Sequence, residues 1–168
     1  MIEHILKSVQ ESNVDEIIVV LGFMADEIAK RVPEDKVKIV INPDYKAGQS
    51  TSLKAGLKAI DAKTEAVIFI LADQPFMKAS IINEIIRRYK RTHAPIVIPT
   101  YKGKRGNPVL FDKALFKEML NTSGDVGARS IIRSHDKNVE EVEVNNPSVL
   151  YDIDTVEDLK ILNKRGCK

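Results

Sequence analysis

A disulfide framework is missing from this sequence, whose one cysteine, Cys167, lies one residue from the carboxyl end. Neither a cystine scaffold nor a thiolate metal cluster can be built from it, and a reducing compartment, the cytoplasm, is expected. Long hydrophobic runs are missing too. The longest, IIVVLG and AVIFILA, are far too short to cross a bilayer, and the opening MIEHILKSVQES reads as an amphipathic helix instead of a signal peptide. Charge of one sign is not in excess either: 26 basic against 24 acidic side chains leave +2, too balanced to mark a nucleic-acid footprint. His4, His93 and His135 are widely separated, without HxxxH or Cys/His spacing for zinc. No serine stands in a nucleophile elbow and no GxxxxGK[ST] loop occurs. Small-molecule chemistry, without nucleic-acid or membrane partners, is what these absences leave.

What is present is an alternation of helix and strand patterns. At 168 residues with 43% hydrophobic side chains, the chain suits one domain, 1–168, with a sizeable core. Ile2, Ile5, Leu6 and Val9 recur at helical spacing before a strand over Glu16 to Leu21. A short helix over Asp26 to Val32 stops at Pro33, and an apolar strand over Val37 to Ile41 ends at Asn42-Pro43. Helices are then expected over Ser52 to Ile60, from a Ser80 cap to Arg91, around Leu115 to Leu120, over Ala128 to Ser134, and from Thr155 to Lys164. Strands are expected at Ala66 to Leu71, Ile96 to Pro99, Val109 to Phe111 and Val139 to Val144. Nearly continuous apolar strands between helices argue for a three-layer α/β/α sandwich around a mostly parallel, Rossmann-like sheet.

Asp73 is the first candidate for chemistry. The apolar run Ala66 to Leu71 breaks there, and Gln74-Pro75 keeps the strand from continuing, so a carboxylate stands at a strand's carboxyl end. In an open α/β sheet that end faces the ligand crevice, where the acid either holds a magnesium ion against phosphates or caps the next turn. Asp152 and Asp154 alternate onto one face just before the last helix, which Thr155 and Asp158 can cap as a box, and one of them could meet Asp73 across a metal. In NPDYKAGQSTSLKAGL a strand end passes through Gly48 into a helix. Lys46, Gln49, Ser50 and Ser52 there either contact a base, ribose or phosphate, or simply cap the helix. Two glycine-rich basic loops, around Arg105 and Arg129, offer anion ligands or solvated surface. The chemistry on offer is metal-assisted phosphoryl or nucleotidyl transfer.

In this order, NPDYKAGQSTSLKAGL, ILADQPF, GKRGNPVLF, SGDVGAR and DIDTVEDL resemble the MobA-like nucleotidyltransferases of molybdenum-cofactor biosynthesis, most closely the cytidylyltransferase branch, from Val14 to Leu162. The resemblance implies a sheet of the glycosyltransferase-A, or nucleotide-diphospho-sugar transferase, type. It implies transfer of CMP from CTP to the phosphate of molybdopterin cofactor, with release of pyrophosphate. Asp73 and Asp154 match the two Mg2+ positions and the catalytic acids. Gly48, Gln49, Ser50 and Ser52 match the loop beside the nucleotide base. Arg105, Gly106, Asn107 and Pro108, with Asp125 and Arg129, match segments on the acceptor side. A homodimer, or contact with a molybdoenzyme or its chaperone, is among the assemblies it implies.

The family's opening strand and LAAGxSxRMGxxK loop, which hold the triphosphate, are not found in this chain, where Met1-Ile2-Glu3-His4 aligns with the helix that follows the loop. The expected sheet therefore lacks its first strand, a central one, leaving two apolar edges that neighbouring strands close, another chain fills, or a longer reading frame completes. Two other readings remain beside the CTP one. One is an enzyme that uses GTP or another phosphorylated small molecule; the other is a non-catalytic cofactor-binding module.

Overall fold

The computed structural model describes residues 2–33, 36–124 and 127–151. Six α-helices and seven strands run through these residues: α1 (Ile2–Gln10), β1 (Ile18–Leu21), α2 (Ala25–Ala29), β2 (Lys38–Ile41), α3 (Gln49–Ala59), β3 (Ala66–Phe69), α4 (Ala79–Thr92), β4 (Ile96–Tyr101), β5 (Lys104–Arg105), β6 (Val109–Asp112), α5 (Phe116–Leu120), α6 (Arg129–Ser134) and β7 (Val139–Glu143). The helix expected from Thr155 to Lys164 lies outside the described residues. No described helix is long and apolar enough to cross a membrane.

The strands form two sheets. β1 and β2 pair in parallel, Ile18 opposite Lys38 through Leu21 opposite Ile41. The larger sheet runs β3-β6-β4, with β7 parallel along the other edge of β4 and β5 extending the hairpin that follows it. Pairing is thus mixed instead of mostly parallel. β6 is antiparallel to both β3 and β4, because the chain returns from β4 through a tight hairpin, and a short connection can only bring the next strand back in the opposite sense.

Alternation along these strands builds two cores. Val97, Leu110 and Val142 pack on one face with Ile5 and Val9 of α1 and Ile81, Ile82 and Ile85 of α4. Ile96, Ile98, Val109 and Phe111 face the other way, against Leu53 and Leu57 of α3, Met119 of α5 and Ile131 of α6. This is the three-layer α/β/α sandwich that the patterning implied, each helix showing the sheet its apolar stripe. Phe69 meets Phe111 edge to face, ring centroids 5.8 Å apart. At the strands' other end Tyr89 donates a 2.5 Å hydrogen bond to Asp112, fastening α4 to β6; burial, then that carboxylate, push the phenol's pKa well up.

The break between the sheets falls between β1 and β3. Among the described residues, β1 pairs only with β2 and β3 only with β6. Every residue of β3 stays partly exposed, whereas Ile96 to Thr100 of β4 are buried. The flanking strands therefore do not close over the gap expected for a central strand.

Element ends depart from the sequence pattern where glycine or burial outweighs propensity. α3 starts at Gln49, three residues before Ser52, because Gly48, with φ of 105°, turns the chain directly into the helix. α4 starts at Ala79 with Lys78 at the cap position, making no side-chain cap bond, so Ser80 is already helical and does not cap. The preceding Gln74 and Met77, each 1% exposed, anchor that entry in the core.

Phe111→Ala is expected to cost about 3–5 kcal/mol, the range for truncating a fully buried aromatic ring. Urea denaturation followed by circular dichroism checks this, and a loss below about 1 kcal/mol would contradict the packing described.

Candidate active site

Asn42 organises the loop that leaves β2. It is 4% exposed, and its amide donates to Thr51 Oγ1 at 2.9 Å and to Ser52 Oγ at 3.0 Å, while its Oδ1 accepts from the Asp44 amide. The Thr51 hydroxyl in turn lies 2.8 Å from the Gly48 carbonyl and 3.1 Å from that of Asp44. One buried side chain thus ties the strand end, the turn over Tyr45–Ala47 and the first turn of α3 together. The Tyr45 ring lies directly on Gly22 after β1, where a Cβ would come within 2.5 Å of Tyr45 Cβ. No acid occupies the first turn of α3, so the positive end of the helix dipole is left unneutralised beside Gly48 and the exposed Gln49.

Of the four residues expected beside the nucleotide, Gly48 and Gln49 are reachable. Ser50 is 1% exposed and cannot touch a ligand in this conformation, a correction that follows from its inward position in the first turn of α3. Ser52 holds Asn42, so its oxygen is engaged as an acceptor. Lys46 lies over the Tyr45 ring, 6.0 Å from its centroid. Asn42 itself was missed by the sequence reading; the signal was the Asn-Pro break at the strand end, which reads as a turn but does not announce a buried hub.

Asp73 lies in the turn after β3, which ends at Phe69, two residues sooner than the apolar run suggested. The side chain is half-buried with Oδ1 withdrawn from solvent, and Gln74 and Pro75 behind it are buried. Asp125, Asp152 and Asp154 lie outside the described residues. Among the described residues no group of three His, Cys, Asp or Glu side chains gathers for a metal. Asp73 is accordingly the one described member of the expected metal pair.

The acceptor-side residues separate. Arg105 is held by Asp136 and, through Nε at 2.7 Å, by Glu141; these bonds, Asp136 first, raise its pKa further. A guanidinium flanked by two carboxylates is a poorer anion ligand than a free one, since an incoming phosphate must displace or share them. Gly106 packs on Val149, whose carbonyl would stand 2.2 Å from a Cβ, and the Asn107 amide donates to the same carbonyl at 2.9 Å. Pro108 is fully buried. Arg129 is exposed at the first turn of α6. Just before it, Gly127 rests against Gln49, which brings the expected acceptor segment into contact with the expected nucleotide loop.

A cavity of about 320 Å³ opens where β7 ends beside the start of α4, lined by Lys78, Ser80, Glu84, Glu143, Asn145 and Asn146 among others. Glu143 is fixed by Thr100 Oγ1 at 2.7 Å and the Lys102 amide at 2.8 Å. Those bonds, Thr100 first, lower its pKa. Neither Asp73 nor Gly48 and Gln49 line this cavity.

A mixed sheet between helical layers, a donor-rich helix start after one strand and a carboxylate after another, define an α/β domain of the nucleotidyltransferase type. The chain belongs to the MobA-like NTP transferase domain family, whose model matches residues 1–139. It is similar to the molybdenum cofactor cytidylyltransferase of Escherichia coli K12, at 27% identity over 89% of this chain and 74% of that protein. It is equally similar, at 28% identity over 86% of this chain and 73% of the other, to a nicotine blue oxidoreductase of Paenarthrobacter nicotinovorans. Among solved structures, a Mycobacterium sp. JC1 homologue of Mycobacterium tuberculosis Rv0371c superposes with a TM-score of 0.85 at 28% identity, covering 98% of this chain and 81% of that one. The Rv0371c complex with manganese gives 0.84 at 24% identity over 98% and 86%. Family and fold together make the chain an enzyme.

The bonds to Glu143 predict a pH response. Because its folded pKa is lowered, its contribution is full above the unfolded carboxylate pKa and is lost as pH falls through the depressed folded value. The protection factor of the Lys102 amide, its intrinsic exchange rate divided by the measured one at each pH, is expected to fall over that acid window in the parent and to show no such step in Glu143→Gln. A pH-independent protection factor in the parent would contradict the assignment.

Proposed function

We propose that this enzyme transfers CMP from CTP to the phosphate of molybdopterin cofactor, releasing pyrophosphate. The observation that carries the reading is Asp73, held half-buried in the turn after β3 in a chain of this family. The acceptor's phosphate oxygen attacks the α-phosphorus of CTP, the bond to the bridging oxygen breaks, and pyrophosphate leaves with that oxygen. Because the attacking oxygen is already anionic, positioning and charge neutralisation carry the step.

Asp73 offers a hard carboxylate oxygen, the donor type that suits Mg2+, and Asp154 is the second expected ligand. Such an ion, when bound, neutralises phosphate charge. The open start of α3 gives Gly48 and Gln49 to the nucleotide, and Arg129 gives an exposed cation to the acceptor. Arg105 contributes only if it releases Asp136 or Glu141. The E. coli relative's name supports CTP and the molybdenum cofactor. GTP and other phosphorylated acceptors are the competing choices.

Asp73→Asn, which keeps the shape and removes the charge, is expected to lower turnover about a hundredfold or more with an unchanged circular dichroism spectrum. Unchanged turnover would remove Asp73 from the site. Isothermal titration of CTP and of GTP, each with Mg2+, into the 168-residue chain tests the nucleotide. CTP preference supports the reading, GTP preference moves it to guanylyl transfer, and binding of neither counts against nucleotide recognition through Asp73 and the Gly48 loop.

A further inference from the structure

Gly127 and Gln49 come from distant parts of the chain and meet without room for another atom. Gly127 is buried with φ of 52°, and a Cβ built on it would lie 2.6 Å from Gln49 Oε1 and 3.3 Å from its Cδ. Non-bonded atoms do not approach that closely, so the Gln49 amide occupies space that exists because residue 127 has no side chain. Gln49 opens α3 on the exposed side, where a long side chain without a wall beside it would spread over several rotamers.

We infer that Gly127 is a positioning residue, which seats the Gln49 amide at the start of α3 and thereby fixes the contact this enzyme makes with the nucleotide. The inference rests on the nucleotide reading of the Gly48–Gln49 loop given above. It adds a coupling, because the segment leading into Arg129 sets the reach of a residue on the nucleotide side. A methyl group at 127 moves the far end of a flexible side chain, so the amide shifts while the helix behind it stays in place.

The competing explanation is that residue 127 is glycine only because its φ is positive. The chain carries its own control in Gly124, with φ of 72° and nothing within 4 Å of a Cβ. Alanine at either position meets the backbone strain, but only at 127 does it meet Gln49.

The test is isothermal titration of CTP with Mg2+ into the full chain and into Gly127→Ala, Gly124→Ala, Gln49→Ala and the Gln49→Ala/Gly127→Ala double variant. Gly127→Ala and Gln49→Ala are each expected to bind CTP about tenfold more weakly, the worth of one hydrogen bond. Gly124→Ala should lose thermal stability yet bind CTP like the parent. The double variant should bind no more weakly than Gln49→Ala alone, since Gly127 acts through that side chain. Parent-like binding by Gly127→Ala, or losses that add in the double variant, would overturn the inference and leave the nucleotide reading standing. Parent-like binding by Gln49→Ala would defeat the nucleotide reading of the loop, and this inference with it. A ligand-free readout stands beside the titration: the Gln49 side-chain amide resonances should shift in Gly127→Ala and stay in place in Gly124→Ala, and unmoved resonances in Gly127→Ala would overturn the seat itself.

Discussion

The ladder along β4 is the constraint from which the rest of the structure follows. β7 pairs with it in parallel from Ile96 to Thr100, β6 pairs antiparallel at Ile96 and Val97, and β5 takes over at Thr100 and Tyr101. With both edges engaged and Ile96 to Thr100 buried, β4 cannot slip by one residue without turning Ile96 and Ile98 into the α4 layer and Val97 into the α3 layer. Fixing that register fixes the hairpin through Lys102 and Gly103, the bonds of Glu143, and the place where Arg105 meets its two carboxylates.

The candidate site loops hang from strand ends that this framework holds to different degrees. Asn42 at the end of β2 is a buried hub with three partners, so the start of α3 is tied to that strand even though its sheet has two strands among the described residues. Asp73 follows β3, an edge strand of the larger sheet among the described residues. The two candidate halves of the nucleotide site therefore stand on either side of the break between the sheets. The contact of Gly127 with Gln49 links the segment before α6 to the start of α3 without running through either sheet.

Much of the fold was legible in the residues. Nearly every strand and helix lies where period two or period 3.6 put it, because each needs an apolar face of the right repeat to be buried at all. The place of Asp73 in the turn after a strand was legible because an apolar run that breaks before Gln-Pro cannot continue as strand. The burial of Ser50 and the bond from Asn42 to Ser52 escaped the residues for the same reason that Asn42 was missed. Sequence shows which side chains can hydrogen-bond but not which face of a helix's first turn points inward.

Taken alone, the amino-acid sequence determined the layers and the order of motifs that marks the family, since these depend on local periodicity and residue type. Tertiary structure decided the pairing sense of β6, the engagement of Arg105 by Asp136 and Glu141, the withdrawal of Ser50 and the seat of Gln49 against Gly127. Each of those depends on which distant segment arrives beside a residue, and a linear chain carries no local signal for the neighbour that packing will supply.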